Sequence, residues 1–375
     1  MVGRILIWVA ALLVISCDTL ELCQRCPACD FHYGFVKPSY CWLPDMFGSP
    51  TPEDMIPSIK ECLEFHMGTI VGQDHVKTRL RSAIIYKLRH PESPLRLHFG
   101  GDNGVGKTFT AFQISLATSR RLHSSCGSKQ RQKMQCEKGE NLLHIQAASF
   151  RGRLVKDSRD IIVKEVISHL RQYPFGIILF DDLSAIPPSE RELMQQLAPL
   201  FGRGSHFPEA PDVDLNRATV IVTSDFDQEG KALKHATIED LEHAIRRHAD
   251  DVYQMDPSGE MKTLGFFSLD TEGIVALIRH HVTRLPCREP RIVSAKIDDL
   301  GVDWFLTDGV IDKDKLAKHS GRYVRQVLHE HVDEVVSTHL FDTPLDSALV
   351  VRISIGSDGW LEVRFQDAAL QHSEL

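Results

Sequence analysis

Apolar residues along this chain fall into short runs, separated by stretches with helical spacing. Leu95-Arg-Leu-His-Phe99 leads into a helix carrying Phe109, Ala111, Phe112 and Leu116. Leu142-Leu-His-Ile145, Phe175-Gly-Ile-Ile-Leu-Phe180 and Ala218-Thr-Val-Ile-Val-Thr223 are further runs. The continuous run ending at Phe180 reads as a buried parallel strand, and the others as shorter strands of the same series. Pro187-Pro188 stops the chain, and Ser189-Glu-Arg-Glu192 forms a capping box for a helix with Leu193, Leu197 and Leu200. The alternating series predicts an α/β fold, a parallel sheet with helices on both faces. The tail has a different period: Ala348 to Ile355 and Trp360 to Phe365 alternate in twos around Gly356-Ser-Asp-Gly359, which predicts a β-hairpin.

The start of the chain follows neither pattern. One positive charge in Met1 to Arg4 precedes the apolar run Ile5 to Ile15 and then Ser16. That is the layout of a secretory signal peptide, and the run is shorter than the ~20 residues of a membrane-spanning helix. A retained anchor lying in the membrane surface is the alternative. Six of the nine cysteines follow closely: Cys17, Cys23, Cys26, Cys29, Cys41 and Cys62. In an oxidising compartment Cys23, Cys26, Cys29 and Cys41 pair as disulfides, while in a reducing one the same spacing can hold zinc. Cys126 and Cys136 flank a polar, basic stretch that reads as an exposed loop. The 375 residues fit about two globular units, and 42% hydrophobic with 25% charged residues is ordinary for a globular protein. The net charge of −8 offers no basic field for nucleic acid.

The strongest chemical signal is Gly101-Asp102-Asn103-Gly104-Val105-Gly106-Lys107-Thr108, a full match to the phosphate-binding G-x-x-x-x-G-K-[ST] loop between a strand and a helix. Its glycines let backbone N–H groups turn toward phosphate oxygens. Lys107 then reaches the β- and γ-phosphates, and Thr108 holds Mg²⁺. The run ending at Phe180 is followed by Asp181-Asp182, where Asp181 is expected to orient Mg²⁺ and Asp182 to polarise the attacking water.

Together these residues resemble the AAA+ superfamily of P-loop ATPases, in the branch that holds torsins and Clp-type unfoldases. Ile70-Val71-Gly72-Gln73 looks like the box that contacts adenine. The stretch from Phe266 to Arg279 resembles the start of the helical lid, and Ser320-Gly321-Arg322 resembles sensor 2. Ile238-Glu-Asp-Leu-Glu-His243 is similar to a torsin segment, and Asp225 matches sensor 1. The resemblance covers about residues 55–345 and implies ATP and Mg²⁺ as cofactors, with Arg322 on the γ-phosphate.

Several positions depart from the family. Asp182 stands where Glu is usual, with a stem one methylene shorter, and Asp225 stands where Asn is usual, adding negative charge near the γ-phosphate. No arginine lies between Arg247 and Arg279, where Clp-type enzymes carry an arginine finger. The resemblance to torsins therefore implies a protein partner that supplies it. Ser149-Phe-Arg-Gly152 lacks the aromatic-glycine pair of threading machines. The ending His372-Ser-Glu-Leu375 resembles an endoplasmic-reticulum retrieval signal and, with the leader, points to the lumen of that compartment.

The expected organisation is a signal peptide over 1–17, a cysteine-rich segment over 18–54 and a large nucleotide-binding domain over 55–258. A helical lid over 259–345 and a hairpin with tail over 346–375 follow. Three functions fit: a torsin-like, partner-activated remodelling ATPase, a Clp-like autonomous chaperone ATPase that forms homo-oligomers, and a nucleotide-switched scaffold that does not hydrolyse. Nucleic acid is not an expected partner, and membrane contact is expected only at the N-terminus.

Overall fold

The computed structural model describes residue 60 and residues 63–118, 138, 139, 141–186, 191–225, 237–253, 261–289, 291–307 and 310–368. The leader, the cysteines from Cys17 to Cys62, the pair Cys126 and Cys136, the capping box at Ser189 and the His372–Leu375 ending lie outside these residues. Among the described residues no helix is long and apolar enough to cross a membrane.

Five strands, β1 (Leu95–Gly101), β2 (Leu142–Gln146), β3 (Ile177–Asp181), β4 (Thr219–Asp225) and β5 (Lys262–Phe266), form one sheet in the order β2-β3-β4-β1-β5. Every pairing is parallel. The unbroken apolar run in β3 has a direct use. Ile177 and Leu179 join one core, while Ile178 and Phe180 join the core on the opposite face. The first of these cores is closed by α1 (Asp74–Arg89) and α2 (Lys107–Thr118), through Val76, Leu80, Ala111 and Ile114. The second is closed by α3 (Val155–Gln172), through Ile162, Val163 and Val166. The sheet is thus covered on both sides, the α/β arrangement expected.

Three local expectations need correction. The helix expected to run through Leu193, Leu197 and Leu200 stops early: α4 spans Arg191–Gln196, and Ala198–Phe201 is a separate 3₁₀ turn with Pro199 in its first positions. Proline lacks the N–H that would continue the α-helical ladder. Phe175 lies outside the strand and is exposed, its ring under the Arg217 guanidinium at 4.5 Å. The expected domain edge at 258 also moves. Helix α5 (Ile238–Tyr253) leads to β5, which pairs with β1 from Leu97↔Lys262 to Gly101↔Phe266, so the sheet closes only at Phe266.

The remaining chain forms a smaller unit with its own core. It comprises α6 (Thr271–Thr283), α7 (Leu285–Arg288), β6 (Ile292–Ile297), α8 (Asp299–Leu306), α9 (Lys313–Leu328), a π-helical turn at His329–Asp333 and α10 (Glu334–Asp342). Strands β7 (Leu349–Ile355) and β8 (Leu361–Asp367) end it. The expected hairpin is present as the antiparallel β7–β8 pair, from Leu349↔Asp367 to Ile355↔Leu361. It is not isolated, because β6 pairs in parallel with β7 to give a second, three-stranded sheet.

Residue His98 of β1 is 2% exposed, contacts the Ser224 hydroxyl at 2.7 Å, and has its pKa pushed down to about 3, by burial first and then by Lys107. The unfolded chain takes a proton at this residue near pH 6.5 and the folded chain does not. Stability is therefore full above that pH and falls as the pH drops toward 3. Between pH 7 and pH 5 this residue alone removes about 2 kcal/mol. Urea unfolding at the two pH values checks it: His98→Gln is expected to narrow the loss by that amount, and an unchanged difference refutes it.

Candidate functional site

The carboxyl ends of β1, β3 and β4 open onto a cleft of ≈ 750 Å³, the usual position for a ligand in a parallel α/β sheet. Of the expected site residues, Ile70, Val71, Asn103, Gly104, Val105, Gly106, Lys107, Thr108, Asp181, Asp182, Asp225 and Arg322 line it. Gly101 and Asp102 do not. The Asp102 side chain is buried and accepts a hydrogen bond from the Ser268 hydroxyl at 2.8 Å. These two residues serve through their carbonyls instead, which accept from Lys107 Nζ at 2.9 and 2.6 Å.

The Gly101–Thr108 loop closes around Lys107. Its buried ammonium also pairs with Asp225 Oδ1 at 2.8 Å, so the residue matched to sensor 1 contacts the loop lysine. Gly104, at φ +78°, presses on the smaller unit: a Cβ there would lie 2.1 Å from the His319 carbonyl oxygen, so only glycine fits. From the other side, Gly321 of α9 brings its helix against the Gly104 carbonyl. Between His319 and Gly321 sits Ser320, a buried non-glycine residue at φ 42° that breaks the helical path. Its hydroxyl accepts from the Leu269 N–H at 3.2 Å, which offsets part of the backbone strain.

Asp181 is held at both oxygens. Its Oδ1 accepts from the hydroxyls of Thr108 at 2.7 Å and Thr223 at 2.6 Å, and its Oδ2 accepts from His144 Nε2 at 3.0 Å. Burial pushes this carboxyl up, but the hydrogen bonds from His144, Thr223 and Thr108 outweigh it and hold the group below its ordinary value. The next residue is driven the other way. Asp182 is raised by burial first, then by the charges of Asp225 and Asp181. Its backbone is left-handed, at φ 59° and ψ 57°, a conformation aspartate tolerates better than most residues. The Asp182 N–H donates to Thr223 Oγ1 at 2.8 Å, so one threonine holds the Asp181 carboxylate and the Asp182 backbone together.

The opposite wall comes from α6, α7 and α9, which contribute Leu277, His280, Arg284, Arg288 and Arg325 beside Arg322. Burial, then Arg284, pushes His280 down to about 4, so this imidazole is neutral at pH 7. Arg288 donates to Asp333 at 2.9 Å, and the same carboxylate accepts from His281 at 2.9 Å. This basic wall was not expected from the sequence, nor were Thr223 and His144 as partners of Asp181. The sequence carried only weak signals for them, a threonine at the end of the β4 run and a histidine on β2.

In the Ile70–Gln73 segment, the Gln73 side chain donates to the Phe267 carbonyl at 2.7 Å and accepts from the Phe267 N–H at 3.3 Å. It thereby ties the segment holding Ile70 and Val71 to the chain leaving β5. Hard oxygen donors at Thr108 and Asp181, 2.7 Å apart, suit Mg²⁺. The loop glycines and Lys107 suit a polyphosphate. No family model matches the chain, and no curated protein sequence matches it.

The opposed shifts of the paired aspartates give a direct check. Asp225→Asn removes the larger of the two carboxylate charges raising Asp182, so the Asp182 carboxyl is expected to titrate at lower pH in that variant. Carboxyl ¹³C NMR, with Asp182→Asn as the assignment control, measures it; an unmoved titration refutes the coupling.

Proposed function

We propose that this chain is a torsin-like AAA+ protein of the secretory pathway that binds ATP with Mg²⁺ and uses the nucleotide state to change its grip on a protein partner. The observation that carries the nucleotide reading is the hydroxyl of the phosphate-loop threonine bonded to the β3 aspartate, Thr108 to Asp181 at 2.7 Å. In this reading Asn103 to Thr108 bind the phosphates, Thr108 and Asp181 hold Mg²⁺, and Ile70 and Val71 meet the base. Mg²⁺ supplies charge neutralisation at the phosphates. Asp182 orients the attacking water, Asp225 reads the γ-phosphate, and Arg322 approaches it from the smaller unit, which acts as the lid. The torsin assignment rests on the combination of motifs, and the lumenal location on the leader and the C-terminal tetrapeptide.

Hydrolysis is expected to be slow in the isolated chain. Asp182 has a short reach and a raised pKa, and an activating arginine from a partner is worth 10³–10⁵ in rate. The second reading, a scaffold that binds nucleotide without hydrolysing it, is favoured by the Lys107–Asp225 ion pair, because that contact competes with phosphate for the lysine. A Clp-like autonomous chaperone is the third and requires turnover by the chain alone as a homo-oligomer.

Turnover of the purified chain, alone and with a candidate membrane partner, separates them: stimulation by the partner supports the leading reading, turnover alone the Clp-like one, and binding without turnover the scaffold. Lys107→Ala is expected to weaken MgATP binding roughly 10- to 100-fold. Calorimetry showing wild-type affinity in that variant would remove the nucleotide reading altogether. Asp182→Glu restores the usual reach and is expected to raise partner-stimulated turnover roughly tenfold or more.

A further inference from the structure

We propose that His144 is a positioning residue that sets the Mg²⁺ affinity of the cleft by fixing the rotation of the Asp181 carboxylate. The inference rests on the nucleotide reading above and extends it to a side chain that no phosphate-loop motif contains. A carboxylate oxygen has two lone pairs. On Asp181 both lone pairs of Oδ1 are occupied, by Thr108 and by Thr223. Among the described residues Oδ2 accepts from His144 Nε2 alone, at 3.0 Å, which leaves it one lone pair in a fixed direction. Thr108, whose hydroxyl donates its hydrogen bond to Asp181, keeps its own lone pairs for a cation. One oxygen from each residue is thereby committed to the cleft.

The surroundings of His144 hold it to this role. It lies on β2, opposite Leu179 of β3 in the parallel register, and its side chain is 13% exposed against 14% for Asp181. The Phe112 ring of α2 meets the imidazole nearly edge-on at 5.3 Å between centroids, which restricts its rotation. Since an ionised carboxylate only accepts, the proton on His144 sits at Nε2. Other buried imidazoles satisfy structural partners: His98 the Ser224 hydroxyl, His66 the Gln113 amide oxygen and His169 the Asn141 carbonyl. His144 instead spends its donor on the carboxylate that meets the phosphate-loop threonine. Without that donor, Asp181 is pinned at Oδ1 alone and Oδ2 presents two unfixed lone pairs. Loss of such a supporting hydrogen bond typically costs 10- to 100-fold in metal affinity.

The test uses the full chain, a fluorescent ATP analogue and a Mg²⁺ titration. His144→Phe keeps an aromatic ring against Phe112 and removes the donor; the Mg²⁺ concentration for half-maximal binding is expected to rise roughly 10- to 100-fold. His144→Gln, whose amide N–H can reach the same oxygen, is expected to recover most of that loss. In EDTA all three proteins should bind the analogue equally, which a merely structural lesion would not preserve. Electron paramagnetic resonance of Mn²⁺ with the analogue gives a second readout of the metal alone. A His144→Phe protein with the wild-type Mg²⁺ requirement overturns the proposal, as does a His144→Gln protein as impaired as His144→Phe with unchanged melting. Unaltered analogue binding by Lys107→Ala would instead remove the nucleotide reading, so the two failures are distinct.

Discussion

A buried ammonium organises this molecule. An uncompensated charge in a protein interior costs several kcal/mol, so the chain must surround Lys107 with oxygen. It does so from two neighbouring strands. The carbonyls of Gly101 and Asp102 come from the end of β1, and the Asp225 carboxylate comes from the end of β4, where Gly101 and Asp225 are register partners. The loop between β1 and α2 can satisfy this geometry only when wrapped tightly over its own lysine. The cleft beside it therefore owes its shape to the same contacts that close the central strand pair.

Two adjacent carboxylates then acquire opposite characters from their surroundings. Asp181 receives hydrogen bonds from three elements and is held ionised, whereas Asp182 faces like charges with partial burial and is pushed up. Two surroundings of this kind pull the proton affinities of neighbouring acids apart. Thr223 is the hinge of the arrangement, since a single hydroxyl accepts from the Asp182 backbone and donates to the Asp181 side chain. The left-handed backbone at Asp182 is the local cost of aiming the two side chains apart.

Much of the sheet was legible because burial on both faces favours apolar runs: β3 has one without a break, and β1, β2 and β4 carry enough apolar residues between turn signals to be read as strands. Strand β5 was not, because Lys262, Thr263 and Gly265 dilute the run, and its membership depends on pairing with a strand more than 150 residues earlier. Strand β6 was missed for a similar reason, with Ser294 and Lys296 alternating between apolar positions. At the cleft, the phosphate loop is local in sequence and was readable letter by letter. His144 and the arginine wall were not, since α6, α7 and α9 meet only through the packing of the smaller core. The contact made by the Asp102 side chain was not readable either, because a motif states residue type and is silent on which way a side chain turns. Its neighbour in space, Ser268, is 166 positions away.

The tie between Gln73 and Phe267 has a mechanical meaning. Phe266 ends the sheet against Gly101, and α6 begins at Thr271 after the Asp270 cap, so the joint between the two units is only Phe267 to Asp270. Because Gln73 grips Phe267 at both its N–H and its carbonyl, the pivot shortens to Ser268, Leu269 and Asp270. Each of those three is in turn anchored: Ser268 to Asp102, Leu269 to Ser320 and Asp270 to Gly273. With all three tied, the joint is stiff, and the seating of the smaller unit depends on that of the loop over Lys107.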